Sequence, residues 1–239
     1  MRTDEPRRLI RNGTLAALAG AFAISQYPVH CTVLRLALLG CAAGAWIGVT
    51  ILIWNRKALK RLALALPMLA AIPFMLPGDE MNADELRHDY VRRMALLEGT
   101  TYVWGGESPH GIDCSGLPRR ALRDALLAYG VKHLNGRAFR TYAEHWWYDA
   151  SAKALGEGFR SFTVPVGTAG TIRDMNHETL MPGDLAVTSF GVHVLAYAGE
   201  GLWIQADPNI GSVAILHGSA NNGWFSAPVT VHRWSILMP

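Results

Sequence analysis

The run Gly111-Ile112-Asp113-Cys114-Ser115-Gly116-Leu117 holds the one cysteine that lies outside the apolar N-terminal third of this 239-residue chain. From Cys114 to Tyr129 apolar residues recur at helical spacing. Asp113 is the expected N-cap and Gly130 the expected terminator, with Pro118 tolerated because it falls in or near the first turn. A thiol there meets the positive end of a helix dipole and unpaired backbone N–H groups. Both favour thiolate, and the same N–H groups can hold an oxyanion on an attacked carbonyl. Gly111 and Gly116 leave room for a substrate backbone. The competing reading is a buried, inert cysteine.

A thiolate nucleophile needs a base. Of the nine histidines, His193 opens an apolar strand, His193 to Tyr197, just after a glycine-containing turn, where a rigid strand start can aim an imidazole. The next strand, Leu202 to Gln205, brings Gln205 alongside in an antiparallel pair as the third, orienting group. There is no His-Glu-x-x-His and no Cys-x-x-Cys, so neither a metal nor a cofactor is expected.

Around these residues the chain turns from helices to strands. Asp84 to Glu98 reads as a helix with Asp84 as N-cap, Thr101 to Trp104 as a short extended run, Tyr142 to Leu155 as helical and Phe159 to Val166 as extended. From Asp184 onward strands dominate: Leu185–Phe190, His193–Tyr197, Leu202–Gln205, Val213–Leu216 and Val229–Trp234, separated by Gly/Pro/Asn turns. Helices followed by a meander argue for an α+β fold rather than a parallel one.

Two ordered segments resemble the NlpC/P60 cysteine peptidases. Gly99-Thr100-Thr101-Tyr102-Val103-Trp104-Gly105-Gly106 with Gly111 to Leu117 looks like that family's nucleophile segment. Leu180-Met181-Pro182-Gly183-Asp184-Leu185 followed by His193 to Gly199 is similar to its histidine segment. The resemblance covers roughly residues 85–239. It implies a papain-like α+β fold, with the nucleophile heading a helix against a small antiparallel sheet, and cleavage of amide bonds in peptidoglycan stem peptides. It makes Cys114 the nucleophile, His193 the base and Gln205 the orienting group. Tyr102, Asp113, Ser115 and Trp104 would line the substrate cleft, and the N–H of Cys114 would donate to the oxyanion. The family most often has histidine where this chain has Gln205. Residues 131–178 form a long insertion, a lid, a substrate wall or a satellite core, and Pro118 interrupts an expected helix.

The N-terminal third differs in kind. Residues 1–78 carry nine Lys and Arg against two Asp and Glu, whereas the remainder is net acidic, so the overall charge of +3 gives no argument for a nucleic-acid partner. Leu36–Trp54, Leu62–Leu76 and the weaker Thr14–Val29 read as membrane spans, with a buried core helix as the alternative for the last. A cleaved leader fits poorly, because apolar segments continue past the first, and the same holds for a lipoprotein box at Cys41. Basic residues Arg2, Arg7, Arg8 and Arg11 precede the first run, and Arg56, Lys57, Lys60 and Arg61 separate the other two. Three spans then place both clusters in the cytoplasm and the C-terminal part outside, with Arg35 at the outer edge as the residue that does not fit.

The expectation is therefore a membrane anchor over 1–78 and a catalytic domain over 79–239 on the periplasmic side. It would be a cysteine hydrolase whose partners are stem peptides and the lipid bilayer. The alternatives are a thiol-dependent acyl hydrolase or transferase on a related fold, and a membrane protein that only binds wall peptides.

Overall fold

The computed structural model describes residues 4–239; Arg2 lies outside the described residues. Three long helices come first: α1 (Asp4–Gln26), α2 (Thr32–Leu52) and α3 (Lys57–Met75). α1 and α2 meet along a seam of small residues. Gly44 and Gly48, one turn apart on α2, face Ala17 and Thr14, and a Cβ at Gly48 would come within 2.0 Å of Thr14 Oγ1. Such close approach is how helices associate where no hydrophobic effect drives them together. By length and composition, α2 and α3 are apolar enough to cross a membrane, and no residue of α3 is buried. α1, which contains most of the expected Thr14–Val29 span, is not among them, because its first turns are charged. Pro67 and Pro73 stay inside α3.

Next come α4 (Ala83–Ala95), the hairpin β1 (Glu107–Ser108) and β2 (Gly111–Ile112), α5 (Gly116–His133), α6 (Gly136–Trp147) and α7 (Ala152–Gly156). The strands β3 (Thr163–Thr171), β4 (Leu185–Thr188), β5 (Val194–Gly199), β6 (Leu202–Asp207), β7 (Ser212–His217) and β8 (Pro228–Trp234) form one antiparallel sheet ordered β3-β8-β4-β5-β6-β7. β4 to β7 are the expected meander. β8 returns to β4, and the 131–178 insertion supplies α6, α7 and the edge strand β3.

Alternation along the strands divides the core. Leu185, Val187, Val194, Ala196 and Ile204 share a cluster with Leu117, Ala121 and Leu122 of α5 and with Tyr90 of α4. Ala186, Leu195, Tyr197, Trp203 and Val231 form a second cluster with Ile172 and Phe225. Both sheet faces are therefore covered, which is why these strands read as continuous apolar runs.

Several expected boundaries move: α5 opens at Gly116 with Ser115, not Asp113, at its N-cap position, and the strand expected from Phe159 starts only at Thr163, after a 3-10 turn over Phe159–Ser161. The cap of α4 is Asn82, whose side chain accepts from the N–H groups of Asp84 (3.1 Å) and Glu85 (3.0 Å); Asp84 sits in the first turn, where its charge suits the dipole. α5 does not stop at Gly130 but runs to His133 and ends at Leu134, which is left-handed (φ 49). Gly130 serves packing instead, since a Cβ there would lie 3.1 Å from the Phe139 ring of α6. The single helix expected over Tyr142–Leu155 is two, interrupted before Ser151, which caps α7.

Arg35 finds its explanation here. It is 1% exposed, with Nη2 2.8 Å from Asp149 and 3.1 Å from Glu107, and Nη1 donates to the carbonyl of Trp147. Glu107, fully buried on β1, also lies 2.8 Å from Arg123 and 3.4 Å from Arg119 of α5. The turn between α1 and α2 joins the same place: Glu107 N–H donates to Pro28 O at 2.9 Å, and Val29 bridges Gly106. One carboxylate thus holds three guanidinium groups from two parts of the chain, and losing a partner from a buried ion pair is costly. Glu107→Gln is expected to lower unfolding stability of the full chain in detergent by about 3–5 kcal/mol. Lys153→Gln, in an exposed pair with Glu157, should change it by less than about 0.5 kcal/mol.

Candidate active site

Cys114 lies in the turn that leads into α5, and Asp113 builds that turn. One Asp113 oxygen accepts from Gly116 N–H (2.5 Å) and the Ser115 hydroxyl (3.0 Å), and the other accepts from Gly105 N–H (2.9 Å). Asp113 N–H donates to Gly106 O, and a Cβ at Gly116 would fall 2.1 Å from that same oxygen. Gly116 is therefore a backbone-contact position. Asp113 and Ser115, expected at the substrate cleft, are both buried and spend these polar groups on the local fold.

His193 precedes β5 and Gln205 lies on β6; both are buried, with His193 Nε2 2.7 Å from Gln205 Oε1. The sulfur of Cys114 is flanked by backbone from either side of His193. Val192 O is 4.0 Å away, and the N–H of Val194 points toward the sulfur, as do those of Ser115 and Cys114 itself. The structure thus brings the Cys114 turn, His193 and Gln205 to one place. Trp104, Phe190 and Val192 stand exposed nearby in the chain, Trp104 at 83%. Tyr102 is half-buried; burial and the neighbouring Cys114, Asp113 and Asp207 raise its hydroxyl pKa to about 12.

The electrostatics differ from the expectation of a ready thiolate. Burial, with Asp113 alongside, pushes the Cys114 thiol up to about 12, outweighing the three N–H groups that act the other way. Burial lowers the pKa of His193, while Gln205, Asp207 and Asp113 pull it upward. The resting pair is a neutral thiol beside a neutral imidazole, because removing both groups from water disfavours either charge more than the helix start favours one. No cluster of three or more His, Cys, Asp or Glu suited to a metal occurs among the described residues.

Three site residues escaped the sequence reading. The Trp224 ring stacks on His193 (centroids 4.1 Å, planes 18° apart), its indole N–H donates to Asp207 (3.3 Å), and Asn222 donates to the same carboxylate (2.7 Å). Asp207 follows Gln205 by two on one strand, so period-two alternation could have flagged it. Trp224 follows a glycine turn and gave no signal.

A thiol in the turn that opens a helix, against backbone on either side of a histidine that a strand neighbour holds, on an α+β scaffold, defines a cysteine-centred class of site. The NlpC/P60 family matches residues 99–233, more than half of the chain, and the chain belongs to that family. No curated protein matches it. Solved structures that resemble it include an NlpC/P60 family protein from Bacillus cereus ATCC 10987 (18% identity, 65% of this chain and 41% of that one, TM-score 0.40). NlpC2 from Trichomonas vaginalis resembles it to a similar degree (18% identity, 65% and 49%, TM-score 0.41). So does the peptidoglycan hydrolase RipB from Mycobacterium tuberculosis (21% identity, 86% and 91%, TM-score 0.40). The chain spans less than half the length of the Bacillus and Trichomonas proteins.

The raised thiol pKa has a direct readout. On the full chain, iodoacetamide labelling of Cys114, resolved by peptide mass spectrometry with exposed Cys31 as internal reference, is expected to keep rising past pH 10. A plateau below pH 8 would instead mark a thiolate–imidazolium pair at rest.

Proposed function

We propose that this protein is a membrane-anchored cysteine peptidase that hydrolyses amide bonds in peptidoglycan stem peptides through Cys114, His193 and Gln205. The observation that carries this reading is the imidazole of His193, held through Nε2 by Gln205 beside the Cys114 turn. Acceptance by Gln205 Oε1 puts the ring proton on Nε2 and leaves the Nδ1 lone pair to take the thiol proton. As that proton leaves, sulfur bonds to the amide carbon, and the N–H of Cys114 receives the oxyanion. The imidazolium then protonates the departing amine as the C–N bond breaks. Water, activated by the neutral ring, releases the acid from the thioester. Tyr102 and Trp104 line the approach to the sulfur, and Asp113 with Ser115 keeps the turn in shape.

We read residues 1–78 as an anchor and 79–239 as a catalytic domain facing the periplasm, and the placing of the contacts supports this reading. Both the turn at Pro28 and the exit from α3 bind the C-terminal part, the latter through Pro77 O, which accepts from Gly136 N–H. Arg7, Arg8 and Arg11 gather with Leu52 near the opposite ends of the helices. Basic residues at one end and the catalytic part at the other suit three spans, with the basic end in the cytoplasm and the helices in the lipid bilayer.

Full-length protein incubated with purified muropeptides is expected to yield new amine termini within the stem peptide by mass spectrometry. Cys114→Ala should cut turnover by about 10⁴-fold or more. Intact stem peptides, under conditions where a known hydrolase works, would overturn the reading.

A further inference from the structure

Asp207 is completely buried, at the end of β6 beside the proposed base. Four N–H donors converge on its two oxygens: backbone N–H of Asn209 (2.7 Å) and Ile210 (3.4 Å), Asn222 Nδ2 (2.7 Å) and Trp224 Nε1 (3.3 Å). Each of these is a contact that a carboxylate oxygen accepts. Yet each donor is neutral, and among the described residues no Lys or Arg pairs with this carboxylate. A buried charge without a counter-charge is expensive, so its surroundings should hold a group that becomes cationic.

His193 is that group. The register of β5 and β6 pairs Ala196 with Ile204 and Tyr197 with Trp203; continued toward the strand start, it sets His193 across from Asp207 and diagonal to Gln205. Trp224 lies flat on the imidazole while donating to the carboxylate, so one indole touches both partners. We propose that Asp207 and Trp224 are positioning residues for His193. Asp207 supplies the negative charge that a glutamine orienter lacks, and Trp224, tied to that carboxylate, fixes the plane of the ring.

The charge matters at one moment. When His193 takes the Cys114 proton it becomes a cation in a site closed to water, and Gln205 can offer only a dipole. Asp207 then faces a transient positive charge, and the indole face adds a cation–π contribution. The other charged group acting on the ring is Asp113 on the α5 side, and Tyr102 lies within reach of Cys114, Asp113 and Asp207 alike. Asp113 also favours the imidazolium, but its oxygens are committed to the turn.

This inference rests on the proposed role of His193 and is tested without substrate. Histidine labelled at Cε1 in the full chain, in detergent micelles, gives a proton titration for each ring, with His193→Gln assigning the signal. Asp207→Asn is expected to lower the His193 pKa by about one unit, and Asp207→Glu to return most of that shift. Asn222→Ser keeps an acceptor for the backbone N–H of Trp224 but withdraws the amide donor from Asp207, and should raise the His193 pKa by about a few tenths of a unit. Shifts of opposite sign in two folded variants are what a purely structural role would not give. If Asp207→Asn fails to fold, the upward shift in Asn222→Ser still decides. An unchanged His193 pKa in the folded variants overturns the proposal. For Trp224→Leu, kcat on stem peptides should fall about tenfold with KM unchanged. Inactivity of the wild type on stem peptides would sink the substrate reading while leaving the titration to judge this one.

Discussion

The structure hangs on a buried carboxylate. Glu107 draws Arg35 from the second helix and Arg119 and Arg123 from the helix that Cys114 precedes, while Asp149 takes part of the same guanidinium charge. Gly106, its neighbour, accepts from Asp113, which shapes the turn around the sulfur. The apolar helices, the hairpin and the Cys114 turn are therefore consecutive members of one bonded chain. Arg119, which reaches both Glu107 and Asp149, has its pKa raised by those two carboxylates despite full burial.

The site itself follows from competition between burial and partners. Burial holds both Cys114 and His193 neutral, and the N–H groups at the sulfur are too few to reverse that beside Asp113. In the proposed reaction, charge arises only as a proton moves, so the residues that matter are those that favour the charged pair once formed. Gln205 holds the ring of His193, Asp113 frames the turn, and Asp207 lies at the end of the neighbouring strand.

Much of this was legible in the chain. A helix just after Cys114, the strand order from β4 to β7 and the approach of Gln205 to His193 follow from periodicity and turn residues, because they depend on neighbours close in sequence; the helix opens two residues later than its Asp113 cap predicts. What escaped depends on distance. The end of α5 passed Gly130 because Phe139 needs the space there, and the interruption between α6 and α7 follows from Ser151 capping a new helix. Arg35 looked misplaced because its partners lie more than 70 residues away. The thiol was expected to ionise because a sequence shows a helix start but not the depth of burial beside it. α1 reads as an apolar span only over its C-terminal half, while Arg7, Arg8 and Arg11 charge the rest.

The junction after α3 is not a tether. Pro77 O accepts from Gly136, Asp79 O from Asn135, and Asn82 N–H donates to the Tyr129 hydroxyl, while a Cβ at Gly136 would fall 1.9 Å from Leu76 O. A loose linker would let the cleft sweep a wide hemisphere. Riveted at this joint and again at Pro28, it keeps a set altitude over the helix ends, so anything that enters it must come to it at that height.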